Sequence, residues 1–532
     1  MSLAPVSRID ADVAVVGSGF AGSLAALALL KRGRRVVLVE RGRHPRFAIG
    51  ESSTPLANLL LEQLSDRYDL PRIRAFSKWG PWQRARPDVA CGLKRGFTFF
   101  FHQPGAEFAD DVDHQRQLLV AASPHDDIAD THWYRPQFDQ ALAEEAQTEG
   151  AVYLDATRLE RLRHEGDSTI LEGERDGRSV RITAHFVIDA SGPRGFLHRS
   201  LGLDEAPRRW LPATQGLYTH FEEVERWDRL RPTPEPPPYP IDDAAVHHVF
   251  PGGWIWMLRF NNGLTSAGAA LTDPVAAALG AADGAAAWSR LLATVPSVAD
   301  QFRSARAVLP FVHAPRLAFR SARASGPSWA LLPSAAGVID PLLSTGFPLT
   351  LLGIMRLVDL LERTSSGRDR DAALLAYEHV TLAELDATER LVAALYATMD
   401  DASLFKRLSL LYFAAASFSE AVRRLGRPQL APGFLLSAHP AFGPELAACA
   451  LAAASAPQGS SRRALETRID RAIEPFDTAG FLDRDRRDWY PVVAADLLAS
   501  AEKLAATPGE IHRMLERTGM VPAAAANQEE RV

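Results

Sequence analysis

The sequence predicts an α/β fold: a β-α-β unit at the N-terminus, an inserted β-sheet region, and a mainly helical C-terminal lobe. Three observations predict it. Residues 12–40 read as strand, glycine-rich turn, helix and strand; apolar residues alternate with small ones over 247–271; and beyond Phe347 glycine and proline thin out while alanine, leucine, arginine and glutamate dominate.

The elements follow in chain order. Residues 12–16 form a β-branched run, 23–30 an alanine- and leucine-rich helical segment, and 35–40 a second strand. A helical pattern over 137–147 leads into strand residues 151–154, and alternation over 179–188 supplies a further strand of the same layered body. The proline-rich stretch 231–240 is a loop, because each proline removes a donor and fixes its own φ. Helical character persists to about residue 518. The expected division is a body over 1–360, with its β-rich substrate region at about 205–320, a helical lobe over 361–520 and a flexible tail over 521–532.

Composition narrows the function classes. A chain of 532 residues exceeds one minimal core, and 47% hydrophobic with 23% charged residues is ordinary for a soluble globular protein. The net charge of -6, without a long basic run, argues against nucleic acid or an anionic membrane surface as partner. No window is read as the run of about 20 apolar residues that a membrane span needs. Two cysteines far apart, Cys91 and Cys449, argue against a disulfide framework, a zinc site and a dithiol centre, and no metal is expected. A reducing cytoplasm fits this cysteine usage, and the N-terminus shows no signal-peptide pattern.

Gly17-Ser18-Gly19-Phe20-Ala21-Gly22 lies between the first strand and helix, which makes the unit Rossmann-like. Gly17 makes the tight turn, Gly19 lets backbone amides reach a pyrophosphate, and Gly22 permits close helix packing. The helix N-terminus adds partial positive charge. Glu40 ends the second strand where an acid can accept hydrogen bonds from ribose hydroxyls. The fingerprint alone does not choose between FAD and NAD.

Further motifs follow: Ile49-Gly50-Glu51-Ser52-Ser53-Thr54-Pro55; Lys94-Arg95-Gly96-Phe97-Thr98-Phe99; Trp133-Tyr134-Arg135-x-x-Phe138-Asp139; Ile188-Asp189-Ala190-Ser191-Gly192; Gly253-Trp254-Ile255-Trp256; and Gly337-Val338-Ile339-Asp340-Pro341-Leu342-Leu343-Ser344-Thr345-Gly346. From the N-terminus to about Glu420 the chain resembles the flavin-dependent halogenases, which share an FAD monooxygenase-type fold. The resemblance implies that FAD meets the glycine turn, Glu40, Gly50, Glu51, Ser52, Arg135, Ala190, Ser191, Ile339, Asp340 and Gly346. It implies a chloride or bromide ion at Ser344, Thr345 and Gly346, with Trp254, Trp256 and Pro341 around the passage. On local sequence alone, the last motif is a helix N-terminus that can hold an anion, or simply a capped helix. Tryptophans two apart on a strand share a face and pack together.

The resemblance also implies a lysine that aims hypohalous acid, made with FADH2, O2 and halide, at an aromatic substrate. Lys94 is favoured over Lys78, because the aromatic segment after it reads as a buried strand and lysine is rarely buried without purpose. Two departures stand out. Leu343 occupies the position where tryptophan-type halogenases carry a glutamate, which points to phenolic, pyrrolic or carrier-bound substrates; and Pro333-Ser334 replace the Gly-Asp of the wider fold. With no second nucleotide fingerprint, FADH2 would come from a separate NAD(P)H-dependent flavin reductase. An aromatic monooxygenase on the same fold and a flavin-binding scaffold without turnover are the competing readings.

Overall fold

The computed structural model describes residues 7–207, 209–364, 367–455 and 457–521, so the expected tail lies, Val521 apart, outside the described residues. The chain opens with β1 (Ser7–Val16), α1 (Phe20–Leu30) and β2 (Val36–Val39). Ten of the eleven α1 residues are buried, which requires a helix apolar on all sides and explains its small, alanine-rich composition.

Next come α2 (Pro55–Arg67), β3 (Cys91–Lys94), β4 (Gly96–Phe101), β5 (Gln117–Ala121) and β6 (Asp130–Trp133), followed by the helix Arg135–Thr148. Then β7 (Val152–Leu154), β8 (Thr157–Glu165), β9 (Ser168–Arg175) and β10 (Arg178–Asp189) build out the first sheet. In that sheet β10, β1, β2 and β7 run parallel, with the short strand Trp329–Leu331 parallel beyond β10. Val16 ends β1 between Asp189 on one side and Val39 on the other. The strand order reverses at β1, so the crevice beyond its carboxyl end is the ligand position of an open α/β sheet.

A second sheet contains β11 (Thr214–Glu222), β12 (Ala245–Phe250), β13 (Gly253–Arg259) and β14 (Thr265–Thr272). Its order is β11-β14-β13-β12-β4-β5, and the strand Trp489–Tyr490 completes the edge beyond β5. Thus the β-rich stretch expected near 205–320 recruits strands from well before and well after it; periodicity finds strands but not their partners. Trp254, Trp256 and Leu258 face one core while Ile255 and Met257 face another, so the two tryptophans share a face as their spacing requires. Residues 231–240 form neither helix nor strand.

Helices Gly346–Arg363, Arg368–Ala397 and Ala402–Arg424 dominate the remainder. One correction arises here. The helical stretch Leu342–Arg363 is long and apolar enough to cross a membrane, contrary to the sequence reading, but 72% of that apolar window is buried inside the protein. Its Arg356 bonds Glu384 at 2.6 Å, and its apolar residues join the main core with those of α1 and α2. A helix surrounded by protein on all sides needs the same composition as one surrounded by lipid.

Candidate active site

The glycine turn closes as its spacing demands. Gly17 takes φ +100°, and a Cβ there would lie 2.7 Å from the Ala190 carbonyl oxygen. A Cβ on Gly22 would lie 1.8 Å from the Gly17 carbonyl oxygen, so only glycine lets α1 meet the turn. Gly19 caps α1 without a side chain, and a Cβ on it would come within 3.4 Å of Arg46 Nη2 and 3.5 Å of Arg135 Nη2. Two guanidinium groups and a helix N-terminus thereby converge on bare backbone, together with Asp139 Oδ2 at 3.5 Å, the carboxylate that pairs with Arg135. Phe20 N donates to Asp139 Oδ1 at 3.2 Å, and Ala21 is buried beside it.

Glu40 is buried at the end of β2 and accepts from Ser18 N at 3.1 Å and Gly42 N at 3.0 Å. Burial pushes its carboxyl upward, but Arg46 and the two amides outweigh that and hold it below the ordinary glutamate value. Across the turn, Ala190 N bonds the Val16 carbonyl at 2.8 Å, and Ser191 N and Oγ bond the buried Asp189 at 2.8 and 2.6 Å. Arg135 grips Asp139 in a two-point pair at 2.7 and 2.8 Å and donates to the carbonyls of Ile49 and Gly50 at 3.1 and 2.9 Å. It ties the Gly50 segment to the glycine turn. Bare Gly19 between two arginines, with a carboxylate across the crevice, fits the ADP half of FAD.

The second group surrounds Lys94. Glu51, 3% exposed, accepts from His220 Nε2 at 2.9 Å, and Ser52 bridges to His132 on β6. Lys94, 0% exposed, donates to Ser52 Oγ at 2.9 Å and to the Ser53 carbonyl, with Nζ 3.7 Å from the centre of the Phe97 ring. Thr54 then caps α2 by accepting from Ala57 N at 3.1 Å, with Pro55 in its first turn. Burial drives the Lys94 amine well down from the ordinary lysine value, opposed by Asp130, whose own carboxyl burial pushes up. Lys78 instead sits 3.7 Å from Glu62 in an ordinary ion pair.

Phe97, whose ring Lys94 touches, is one of the residues lining a cavity that Lys94 itself does not line. That cavity is lined by Thr54, Tyr412, Phe413, Phe481 and Tyr490 among others, and has Glu420 and Arg424 as its charged members.

The third group is the loop ahead of the helix Gly346–Arg363. Leu343 and Ser344 take φ +63° and +55°, a left-handed pair without glycine, and the Leu343 carbonyl accepts from Tyr412 Oη at 2.9 Å. Thr345 is buried at the helix start, whereas a Cβ on exposed Gly346 would meet nothing within 4 Å. The loop therefore faces open space. Ile339 is buried, Pro341 leads into the turn, and Asp340 accepts from Leu342 N at 3.0 Å and Tyr396 Oη at 2.9 Å. Burial raises the Asp340 carboxyl to about 6. Trp254 Nε1 donates to the same Tyr396 hydroxyl at 3.2 Å, while Trp256 turns to Ser266 Oγ at 3.3 Å. Of the two tryptophans, only Trp254 is wired to the loop through Tyr396.

Phe347, the next helical residue, stacks on Trp133 at 4.1 Å and meets Phe20 at 4.9 Å, which joins the loop to the nucleotide turn. The expected residues thus gather into three connected clusters. Sequence reasoning missed Arg46, Asp130, His220, Tyr396 and Tyr412. Arg46 and His220 carry no local signal, and Asp130 faces Lys94 only through the pairing of β3 with β6.

The family described as FAD dependent oxidoreductase matches residues 12–326. The chain is 31% identical over 406 residues to monodechloroaminopyrrolnitrin halogenase PrnC of Pseudomonas fluorescens, covering 74% of this chain and 69% of that one. It is 32% identical over 346 residues to tetracycline 7-halogenase of Kitasatospora aureofaciens, covering 63% and 60%. The crystal structure of halogenase PltM in complex with phloroglucinol and FAD matches with a TM-score of 0.79 at 25% identity, covering 90% of this chain and 99% of that one. A nucleotide crevice with the right donors and these likenesses agree: the chain belongs to the FAD-dependent oxidoreductase family and, within it, to the flavin-dependent halogenases.

Proposed function

We propose that this FAD-dependent halogenase uses Lys94 to direct hypohalous acid to a neutral, electron-rich phenolic substrate in the adjoining cavity. The observation that carries the reading is a lysine with no exposed surface, whose Nζ rests on Phe97, a side chain that lines the cavity. When bound, reduced FAD would supply the electrons that activate O2, the oxidant that turns chloride or bromide into hypohalous acid. Gly17, Gly19, Phe20, Ala21, Gly22, Glu40, Arg46 and Arg135 would hold its nucleotide half. Ser344, Thr345 and Gly346 would hold the halide at the helix N-terminus, where unpaired amides favour an anion.

The residues around Lys94 do two things. They exclude water, which strengthens every hydrogen bond inside, and Ser52 with the Ser53 carbonyl fix the direction of the amine. The cavity's charges are paired internally, since Arg424 bonds Glu420 at 2.8 Å and lies 3.6 Å from Glu62. A charged substrate would find no free partner there and would bear the cost of an uncompensated buried charge. A neutral phenol, like the phloroglucinol bound by the halogenase PltM, meets that requirement.

A separate NAD(P)H-dependent flavin reductase belongs to the same reading, supported by the presence of one nucleotide fingerprint in the sequence. Two buried free cysteines support a cytoplasmic setting.

The test is incubation with FADH2, O2 and bromide over a panel of phenols, pyrroles and indoles, reading the bromine isotope doublet in the products. Lys94→Ala keeps its bound flavin and loses brominated product by about 100-fold or more. Oxygen insertion without halide, or undiminished bromination by that variant, refutes the proposal.

A further inference from the structure

We propose that Asp130 is the positioning residue that favours the ammonium form of Lys94, facing it across the β3–β6 pair without touching it. The proposal deepens the role of Lys94 given above and rests on it. In the β3–β6 ladder Lys94 and Asp130 are direct partners. Both are buried, at 0% and 5% exposure. Asn58 Nδ2 fixes Asp130 Oδ1 at 2.9 Å, while the buried Oδ2 accepts no hydrogen bond from the described residues. The amine meanwhile donates to Ser52 Oγ and the Ser53 carbonyl and lies over the Phe97 face, so its hydrogen bonds go to neutral acceptors and not to the carboxylate.

The rest of the chain sharpens the contrast. It has 59 basic residues, of which five are lysines. Lys31, Lys78 and Lys406 each sit directly against a carboxylate. Lys94 alone is fully buried and has its carboxylate set back across the ladder, so the negative charge steadies the ammonium while leaving its N–H bonds to other acceptors. Arginine would hold the charge permanently; lysine at this depth exchanges its proton, which gives a counter-charge something to control.

The neighbours do not supply that counter-charge. On the amine's side stand His132 and His247, both kept neutral by burial. Around Asp130 stand Lys78, Glu420, Arg424 and Tyr412; Lys78 and Arg424 are already paired with Glu62, and Arg424 also with Glu420.

The experiment uses full-length, FAD-loaded protein labelled with ε-13C lysine, whose five signals are few enough to assign by substitution. Asp130→Asn, nearly isosteric, lowers the Lys94 titration midpoint by about 1 to 3 units, the range produced by losing a nearby opposite charge. The falling alkaline limb of the bromination rate moves down with it. Asn58→Ala, which removes the hydrogen bond that favours ionised Asp130, shifts the midpoint the same way by less, and decides the question if Asp130→Asn does not fold. A Lys94 midpoint that stays put or rises in these variants overturns the proposal. A Lys94→Ala enzyme that still brominates would overturn the functional reading while leaving this titration intact, so the two failures are distinguishable.

Discussion

Gly22→Ala is the substitution whose cost the structure specifies most directly. The added Cβ would lie 1.8 Å from the Gly17 carbonyl oxygen, where ordinary contact begins at 3.4 Å, so turn and helix must separate by about 1.6 Å. The obstructing atom is backbone and cannot rotate away. Overpacking of this kind costs about 1–3 kcal/mol. The free protein can relax it by letting the turn drift, whereas a bound nucleotide demands the original geometry, so the cost surfaces as lost affinity of about 5- to 150-fold. Titration of FAD against protein, followed by quenching of flavin fluorescence, reads the Kd; melting with and without FAD reads the stability. An unchanged FAD Kd would refute the assignment of Gly22 to close packing beneath the nucleotide.

Three further outcomes are expected. At Gly346 a Cβ meets nothing within 4 Å, so Gly346→Ala leaves Tm unchanged or adds about 0.4–1 kcal/mol, yet raises the KM for bromide; a fall in Tm would contradict the open space in front of that residue. Asp340 is held up to about 6 by burial, whereas an unfolded aspartate titrates near ~3.9. The folded state therefore binds more protons between those values, and this group's contribution, fully present below the lower one, is lost as pH rises through the higher. The loss is about 3 kcal/mol at ~1.36 kcal/mol per unit; Asp340→Asn removes this slope from a plot of Tm against pH, and an unaltered slope would refute it. His220→Ala leaves the buried Glu51 carboxylate without its 2.9 Å partner and costs about 3 kcal/mol in urea unfolding, a prediction that fails if the loss is below about 1 kcal/mol.

What the sequence revealed depended on how far apart the participating residues lie along the chain. Gly17, Gly19, Gly22 and Glu40 act within one β-α-β unit, so their spacing is itself the geometry. Lys94 was separable from Lys78 because the aromatic strand following it announced burial, and the two differ accordingly: 0% exposure for one, an ion pair with Glu62 for the other. Asp130 was not legible, since nothing in residues 91–94 names residues 130–133 as their ladder partner. The hydroxyls of Tyr396 and Tyr412 reach Asp340 and Leu343 from 56 and 69 residues away, and tyrosines spaced along alanine- and leucine-rich helices look like any other core residue. The second sheet was half seen for the same reason: β12 to β14 follow one another, but β4 and Trp489–Tyr490 arrive by long crossings.

The hydroxyl of Tyr412 has a consequence for redesign. A two-residue left-handed stretch without glycine is costly at about 1–3 kcal/mol per residue unless its surroundings impose it, and here one of the imposing bonds comes from a helix that also walls the cavity. The same side chain therefore shapes two surfaces. A chimera that swaps the helix Ala402–Arg424 to admit a new aromatic would inherit a retuned Leu343–Ser344 bend with it, so, with substrate proposed in the cavity and halide proposed at that bend, substrate range and halide preference should be screened together in such hybrids.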